Sequence, residues 1–272
     1  MRAGALEDGR LVLLARGEPT WGYLYRKMIP LLVAQGFRAV AIDLIGFGRS
    51  DKPTSREAYS YRGHLQWLDE IIRAIGLRDI TLFCQDWGGI LGLAHVVLNP
   101  ELYQLVVAAN TGLPPGTEYP PDPLTKAWID FSQEDPFSAG TIVGGESPLN
   151  HNGYVLSEEE KRAYDAPFPD ESYRAGARQF PLLLPHGPNH PSQAMGRELF
   201  DGPVQACKVP LLTAFGERDP MLLPAEPLLQ SVFSGAEGMP HRRVEGASHF
   251  IQEHEPEACV EAIVDAHAHL NR

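Results

Sequence analysis

The chain has 272 residues, 43% of them hydrophobic and 21% charged, the make-up of a globular protein with room for one large α/β domain and an insertion. Its formal charge of −12 argues against nucleic acid or an anionic membrane as a partner, since both repel an acidic surface. Cys84, Cys207 and Cys259 are odd in number and widely spaced, so they form no disulfide framework and suit a reducing, cytoplasmic compartment.

The opening does not read as a signal peptide. The apolar run Leu11-Val12-Leu13-Leu14-Ala15 is short, and Glu7 and Asp8 stand where basic residues belong. No apolar run approaches the roughly 20 residues that span a bilayer, so a soluble protein is expected. Leu11 to Ala15 reads as a buried strand ending in the loop Arg16-Gly17-Glu18-Pro19-Thr20-Trp21. A helix is expected from about Gly22 to Ala34, kinked at Pro30, and a second strand over Arg38 to Asp43. The loop Ile45 to Pro53 is punctuated by glycines and a proline. Leu65, Leu68, Ile71, Ile72 and Ile75 then share one face of a helix.

The next stretch, Asp79 to His95, organises the rest. Its β-branched and aromatic first half reads as a strand buried on both faces, and its glycine-rich second half begins a helix with no loop residues to spare. A strand turning straight into a helix at Asp86 is the geometry of a nucleophile elbow, although Cys84 and Asp86 depart from the G-x-S-x-G pattern. The plainer alternative is that Asp86 caps the helix. Gln104 to Asn110 is a fourth strand.

From Leu113 to about Gln205 the chain is rich in proline, glycine and aromatic residues without strand-like runs, too long for a structureless loop and expected to be an inserted helical cap. The expected organisation is core over 1–112, cap over 113–205 and core again over 206–272. The strand–helix rhythm resumes with a strand over Val209 to Phe215, a helix over Ala225 to Val232, a short strand over His241 to Val244 and a closing helix over Glu255 to His269. Alternation of this kind implies a mostly parallel sheet with helices on both faces and chemistry at the carboxyl ends of its strands.

Glu18, Asp86, Asp219 and His249 all follow predicted strands. The order Asp86, Asp219, His249 is that of nucleophile, acid and histidine in α/β-hydrolase triads. Taken singly, Asp219 in Gly216-Glu217-Arg218-Asp219-Pro220 could equally be a turn residue and His249 a satisfied surface histidine. An aspartate with a reference pKa of about 4 is ionised without help. Its attack on an ester would yield an anhydride, whereas attack on saturated carbon yields an ordinary ester that water can hydrolyse. A histidine held by a carboxylate would activate that water, and the backbone N–H groups of Trp87 and Glu18 would form the oxyanion hole. The indole N–H of Trp87 can only donate, which suits a departing anion without hydrogens; core packing is the alternative.

Gly17-Glu18-Pro19-Thr20-Trp21, Tyr23-Leu24-Tyr25-Arg26-Lys27, Asp43 to Pro53, Gln85-Asp86-Trp87-Gly88-Gly89 and His249-Phe250-Ile251-Gln252-Glu253 make the chain resemble the haloalkane dehalogenases of the α/β-hydrolase superfamily. The resemblance runs from about Leu11 to the C-terminus. It implies Asp86 as nucleophile, Asp219 as acid, His249 as base, Trp87 as halide donor and, from the segment Ala127 to Phe131, Trp128 as the second donor. It implies a haloalkane and water as substrates, an alcohol and halide as products and no cofactor; a monomer is expected, though the sequence leaves the oligomeric state open. Two departures stand out. Arg16 occupies the place of the family's usual histidine. Only ten residues precede Leu11, where relatives carry two further strands, so the edge of the strand near Arg38 to Ile42 is expected to be bare.

The competing readings are an epoxide hydrolase, for which Tyr154, Tyr164 and Tyr173 would protonate the leaving oxygen, and a truncated, catalytically impaired relative. No metal site is expected: Gly187 and Pro188 spoil a helix between His186 and His190, and His267 and His269 cannot share a helical face.

Overall fold

The structure, a computed structural model, describes residues 2–3, 10–116, 123–145, 147–148, 154–185 and 189–272. Its strands are β1 (Arg2–Ala3), β2 (Arg10–Ala15), β3 (Phe37–Ala41), β4 (Ile80–Gln85), β5 (Tyr103–Ala109), β6 (Leu211–Gly216) and β7 (Arg242–Val244). They form one sheet in the order β1-β3-β2-β4-β5-β6-β7, parallel from β3 to β7, with β1 antiparallel at the edge. Arg2 pairs with Val40 and Ala3 with Ala39, so the edge expected to be bare is covered over those two residues.

Alternation along the strands sends one set of side chains to each face. Leu11 and Leu13 of β2, Leu82 and Cys84 of β4 and Val106 of β5 pack under α2 (Tyr61–Ala74) and α3 (Trp87–Leu98). Val12, Leu14, Phe83, Leu105 and Val107 pack against α1 (Met28–Ala34) and, late in the chain, the closing helix 256–270. Both faces are therefore dry, which accounts for near-continuous apolar runs in place of polar alternation.

The stretch expected as one kinked helix is a 3-10 turn over Gly22–Tyr25 followed by α1. Pro30 falls in the first turn of α1, where a missing N–H leaves no bond unmade, so it marks a start and not a kink.

Between the neighbouring strands β5 and β6 the described residues form helices and turns: α4 (Pro123–Ser132), α5 (Ala139–Val143), α6 (Glu158–Asp165), α7 (Ala175–Gln179), α8 (Pro191–Phe200) and α9 (Pro203–Ala206). The chain closes with α10 (Glu226–Val232), α11 (Ile251–His254) and α12 (Pro256–Leu270). β3 lies on one side of β2 and β4 on the other, so the loops after β2 and β4 part at a topological switch point and open a crevice there.

Candidate active site

Asp86 occupies that crevice. It joins β4 to α3 with φ 52° and ψ −130°, a backbone that L-residues rarely adopt. Neighbours hold it there: its N–H donates to the Asn110 carbonyl at 2.9 Å, and its carbonyl accepts from Gly89 N–H at 2.9 Å and the Thr111 hydroxyl at 2.8 Å. Close approach explains the glycines. A Cβ at Gly17 would lie 2.3 Å from Asp86 Oδ1, one at Gly88 2.3 Å from the Ala15 carbonyl carbon, and one at Gly89 2.0 Å from Thr111 Oγ1. Asp86 stands at the N-cap position of α3 without capping it; its Oδ1 instead accepts the Glu18 N–H at 2.9 Å.

His249, in the loop after β7, places Nε2 3.6 Å from Asp86 Oδ2 and Nδ1 3.0 Å from Asp219 Oδ2. Asp219 follows β6, and its Oδ1 accepts the N–H groups of Met221 and Leu222, each at 3.0 Å. Both side chains of the Asp219–His249 pair are fully buried. Burial disfavours the imidazolium, but Asp219 and then Asp86 outweigh it and push His249 up to about 10.

A cavity of about 210 Å³ opens over Asp86, walled by Trp87, Leu113, Trp128, Leu184 and Met221 among other mostly apolar residues. Trp87 is wedged edge-on against Phe180 and Tyr61, with ring centres 4.9 and 6.1 Å apart, and Trp128 reaches the cavity from α4. The three tyrosines considered for epoxide opening do not line it. The Tyr154 hydroxyl accepts from Lys27 Nζ at 2.7 Å, Tyr164 donates to Glu253, and Tyr173 is exposed. His186 lies outside the described residues; His190 Nδ1 accepts the Ser192 N–H at the start of α8, and His267 Nε2 lies 2.8 Å from Thr81 Oγ1.

The model of the α/β hydrolase fold family matches residues 10–256. Haloalkane dehalogenase from Psychrobacter cryohalolentis is 43% identical over 259 residues, 94% of this chain and 83% of the relative. That from Mycolicibacterium paratuberculosis is 42% identical over 247 residues, 90% of this chain and 79% of the relative.

The chain belongs to the haloalkane dehalogenase family.

Among solved structures, the tetrameric haloalkane dehalogenase DpaA from Paraglaciecola agarilytica NO2 superposes with a TM-score of 0.85 at 31% identity, covering 97% of this chain and 86% of that one. A reconstructed ancestral haloalkane dehalogenase gives 0.77 at 26% identity, with 99% and 96% covered.

Arg16, which stands where haloalkane dehalogenases are expected to carry histidine, is completely buried. Nη1 donates to the Gly17 carbonyl at 3.2 Å, Nε lies 3.7 Å from Asp43 Oδ1, and the guanidinium sits 4.9 Å over the Phe47 ring. Burial lowers it to about 10 against the raising influence of Asp43. The Glu18 carboxyl beside it is buried too, and burial, with Asp86 adding to it, raises that carboxyl well above its ordinary range.

Two polar residues went unassigned in the sequence. Asn110, at the end of β5, accepts from Gly216 N–H at 2.7 Å and donates to the carbonyls of Ser248 and His249 at 2.7 and 3.0 Å, tying three strand ends together. Its φ of 38° has no signature beyond the identity of the residue. Gln85, the residue before Asp86, sits against the imidazole of His249.

Proposed function

We propose that the chain hydrolyses haloalkanes to an alcohol, a halide ion and a proton without a cofactor. Asp86 displaces the halide from saturated carbon, forming an alkyl ester, while the Trp87 and Trp128 N–H groups receive the departing ion. Water then adds to the ester carbonyl; His249, oriented by Asp219, takes its proton, and the backbone N–H groups of Glu18 and Trp87 stabilise the oxyanion. Collapse releases the alcohol and restores the Asp86 carboxylate. Residues 113–205 act as the cap over this site, and Trp128 is its contribution to the halide.

The observation that carries this reading is one mostly apolar cavity lined by Asp86 together with two tryptophans and none of the three candidate tyrosines. It favours dehalogenation over epoxide opening, which needs an acid at the leaving oxygen. A folded but inert relative is the third reading, and halide release from a haloalkane panel would decide against it.

The named side chains all come from one chain, so a monomer suffices for the reaction even though DpaA is described as tetrameric. Among the described residues no helix is long and apolar enough to cross a membrane. The cytoplasmic reading rests on the three unpaired cysteines.

The test is His249→Phe exposed to 1,2-dibromoethane. It is expected to release one halide per chain and retain the bromoethyl group on Asp86 as added mass, while Asp86→Asn releases none. Multiple turnovers by His249→Phe would remove the base assignment, and halide release by Asp86→Asn would remove the nucleophile.

A further inference from the structure

Gln85 is fully buried at the end of β4, and its neighbours decide which way round its amide lies. Its Nε2 is 3.2 Å from the carbonyl oxygen of His249, an atom that can only accept. Its Oε1 accepts the Nε2–H of Gln252 at 3.4 Å. The first contact points the NH₂ at His249 and the carbonyl away from it, and the second agrees with that orientation. The same NH₂ lies 3.1 Å from the imidazole Nε2. Having no lone pair to offer, it makes a hydrogen bond there only when Nε2 carries a lone pair and no proton. The ring's single proton then sits on Nδ1, which faces Asp219 at 3.0 Å.

The charged and titratable groups around the imidazole come from four elements: Asp219 after β6, Asp86 at the head of α3, Glu18 after β2, and His254 in α11. Ionised Asp219 and Asp86 favour the imidazolium, which cannot accept a proton from water. The Gln85 amide opposes them, because it donates to the neutral ring and meets a protonated Nε2 hydrogen to hydrogen. Once Asp86 is esterified its charge is gone, and Asp219 stands alone against burial and the amide.

We infer that Gln85 is a positioning residue that holds His249 as a neutral base once Asp86 is esterified, protonated on Nδ1 and bare on the Nε2 that faces Asp86, an inference that rests on His249 being the base of the hydrolytic step. When water donates to Nε2, the amide keeps its bond to the His249 carbonyl and so still fixes the ring.

The experiment is the pH dependence of ester hydrolysis in Gln85→Glu and Gln85→Met after mixing with 1,2-dibromoethane, followed by rapid quench and intact mass, with first-turnover halide release and Tm measured alongside. Gln85→Glu replaces the donor by an acceptor that pairs with imidazolium, and Gln85→Met removes the donor at similar volume. In Gln85→Glu the acid limb of hydrolysis is expected to move up by about one pH unit, so that on that limb hydrolysis slows up to about tenfold and the ester accumulates. Gln85→Met shifts the limb the same way by less, and in both variants halide release falls far less than hydrolysis. A residue that merely packs would lower Tm and slow both steps without moving the limb, and that result overturns the inference.

If neither variant folds, ring-nitrogen NMR of Asp86→Asn, whose side chain is uncharged like the ester, is expected to show Nε2 unprotonated at pH 7; imidazolium there overturns the inference equally. A trapped ester in His249→Phe with unmoved limbs in the Gln85 variants discards this inference alone, whereas no trapped ester discards the base assignment beneath it.

Discussion

Asp86 holds its backbone at φ 52°, a conformation that costs on the order of 1–3 kcal/mol and persists only where surroundings over-determine it. The strain is useful, because it turns the carboxylate off the helix it would otherwise cap and toward the cavity. Two indoles line that cavity, Trp87 from α3 and Trp128 from α4. Trp128→Phe keeps most of the ring and removes one donor, and a hydrogen bond to an ion is worth about 1.5–3 kcal/mol. Halide affinity, followed by quenching of indole fluorescence, is therefore expected to weaken at least about tenfold. Unchanged affinity would put the second donor elsewhere. Much of this was legible in the chain. Asp86, Asp219 and His249 each follow a recognisable strand, and a parallel sheet must gather such residues at one edge. Trp128 was legible only through the family resemblance, since a tryptophan on an apolar helix face is by itself a packing residue. Gln85 was quoted within its motif but given no role, because a strand buried on both faces does not reveal which of its polar residues meets a histidine 164 positions later.

The α1 region, α6 and α11 meet at Glu253, whose carboxylate is fully buried. It accepts from Arg26, from Lys27 Nζ at 2.8 Å and from the Tyr164 hydroxyl, while Arg26 Nη2 also reaches Glu160 at 2.6 Å. Burial alone would raise this carboxyl, but the hydrogen bonds from Arg26, Lys27 and Tyr164 hold it below its ordinary range. The cluster pins α6 to the α1 region and to α11, four residues after His249. Glu253→Gln leaves two cations facing an amide and is expected to destabilise the fold by on the order of 3 kcal/mol, read as a shifted denaturant midpoint at unchanged m-value. A midpoint at the parent value would show that the cluster contributes nothing net. None of this could be read from pattern. The tyrosines of the inserted segment were visible as residues, but the direction of Tyr154 and Tyr164, away from the cavity and onto Glu253, is a tertiary outcome. Pro30 was misplaced for a related reason: a proline inside an apolar helical pattern reads as a kink unless the helix start is known, and here the preceding turn is 3-10.

The molecule as a whole buries several histidines in neutral form. Desolvation lowers His64 to about 3 and His254 and His267 to about 4. The folded-state values lie below the unfolded one of about 6.5, so below that pH the unfolded chain binds protons that the native chain refuses. Their contribution to stability is complete above about pH 6.5 and is lost as pH falls toward 4. Tm is expected to decline over that window, and His267→Gln, which keeps a hydrogen-bonding partner for Thr81, should flatten the decline. A Tm independent of pH from 6.5 to 4 would contradict the neutral burial.

Cys84, Cys207 and Cys259 are all buried, and burial raises all three thiols above their ordinary range, where they stay protonated. A haloalkane is an alkylating poison, and a thiolate is what such a poison attacks first. With its sulfurs sealed away and uncharged, the protein presents the reagent with an oxygen nucleophile whose adduct water can cleave, so each encounter ends in repair and not in a permanent scar.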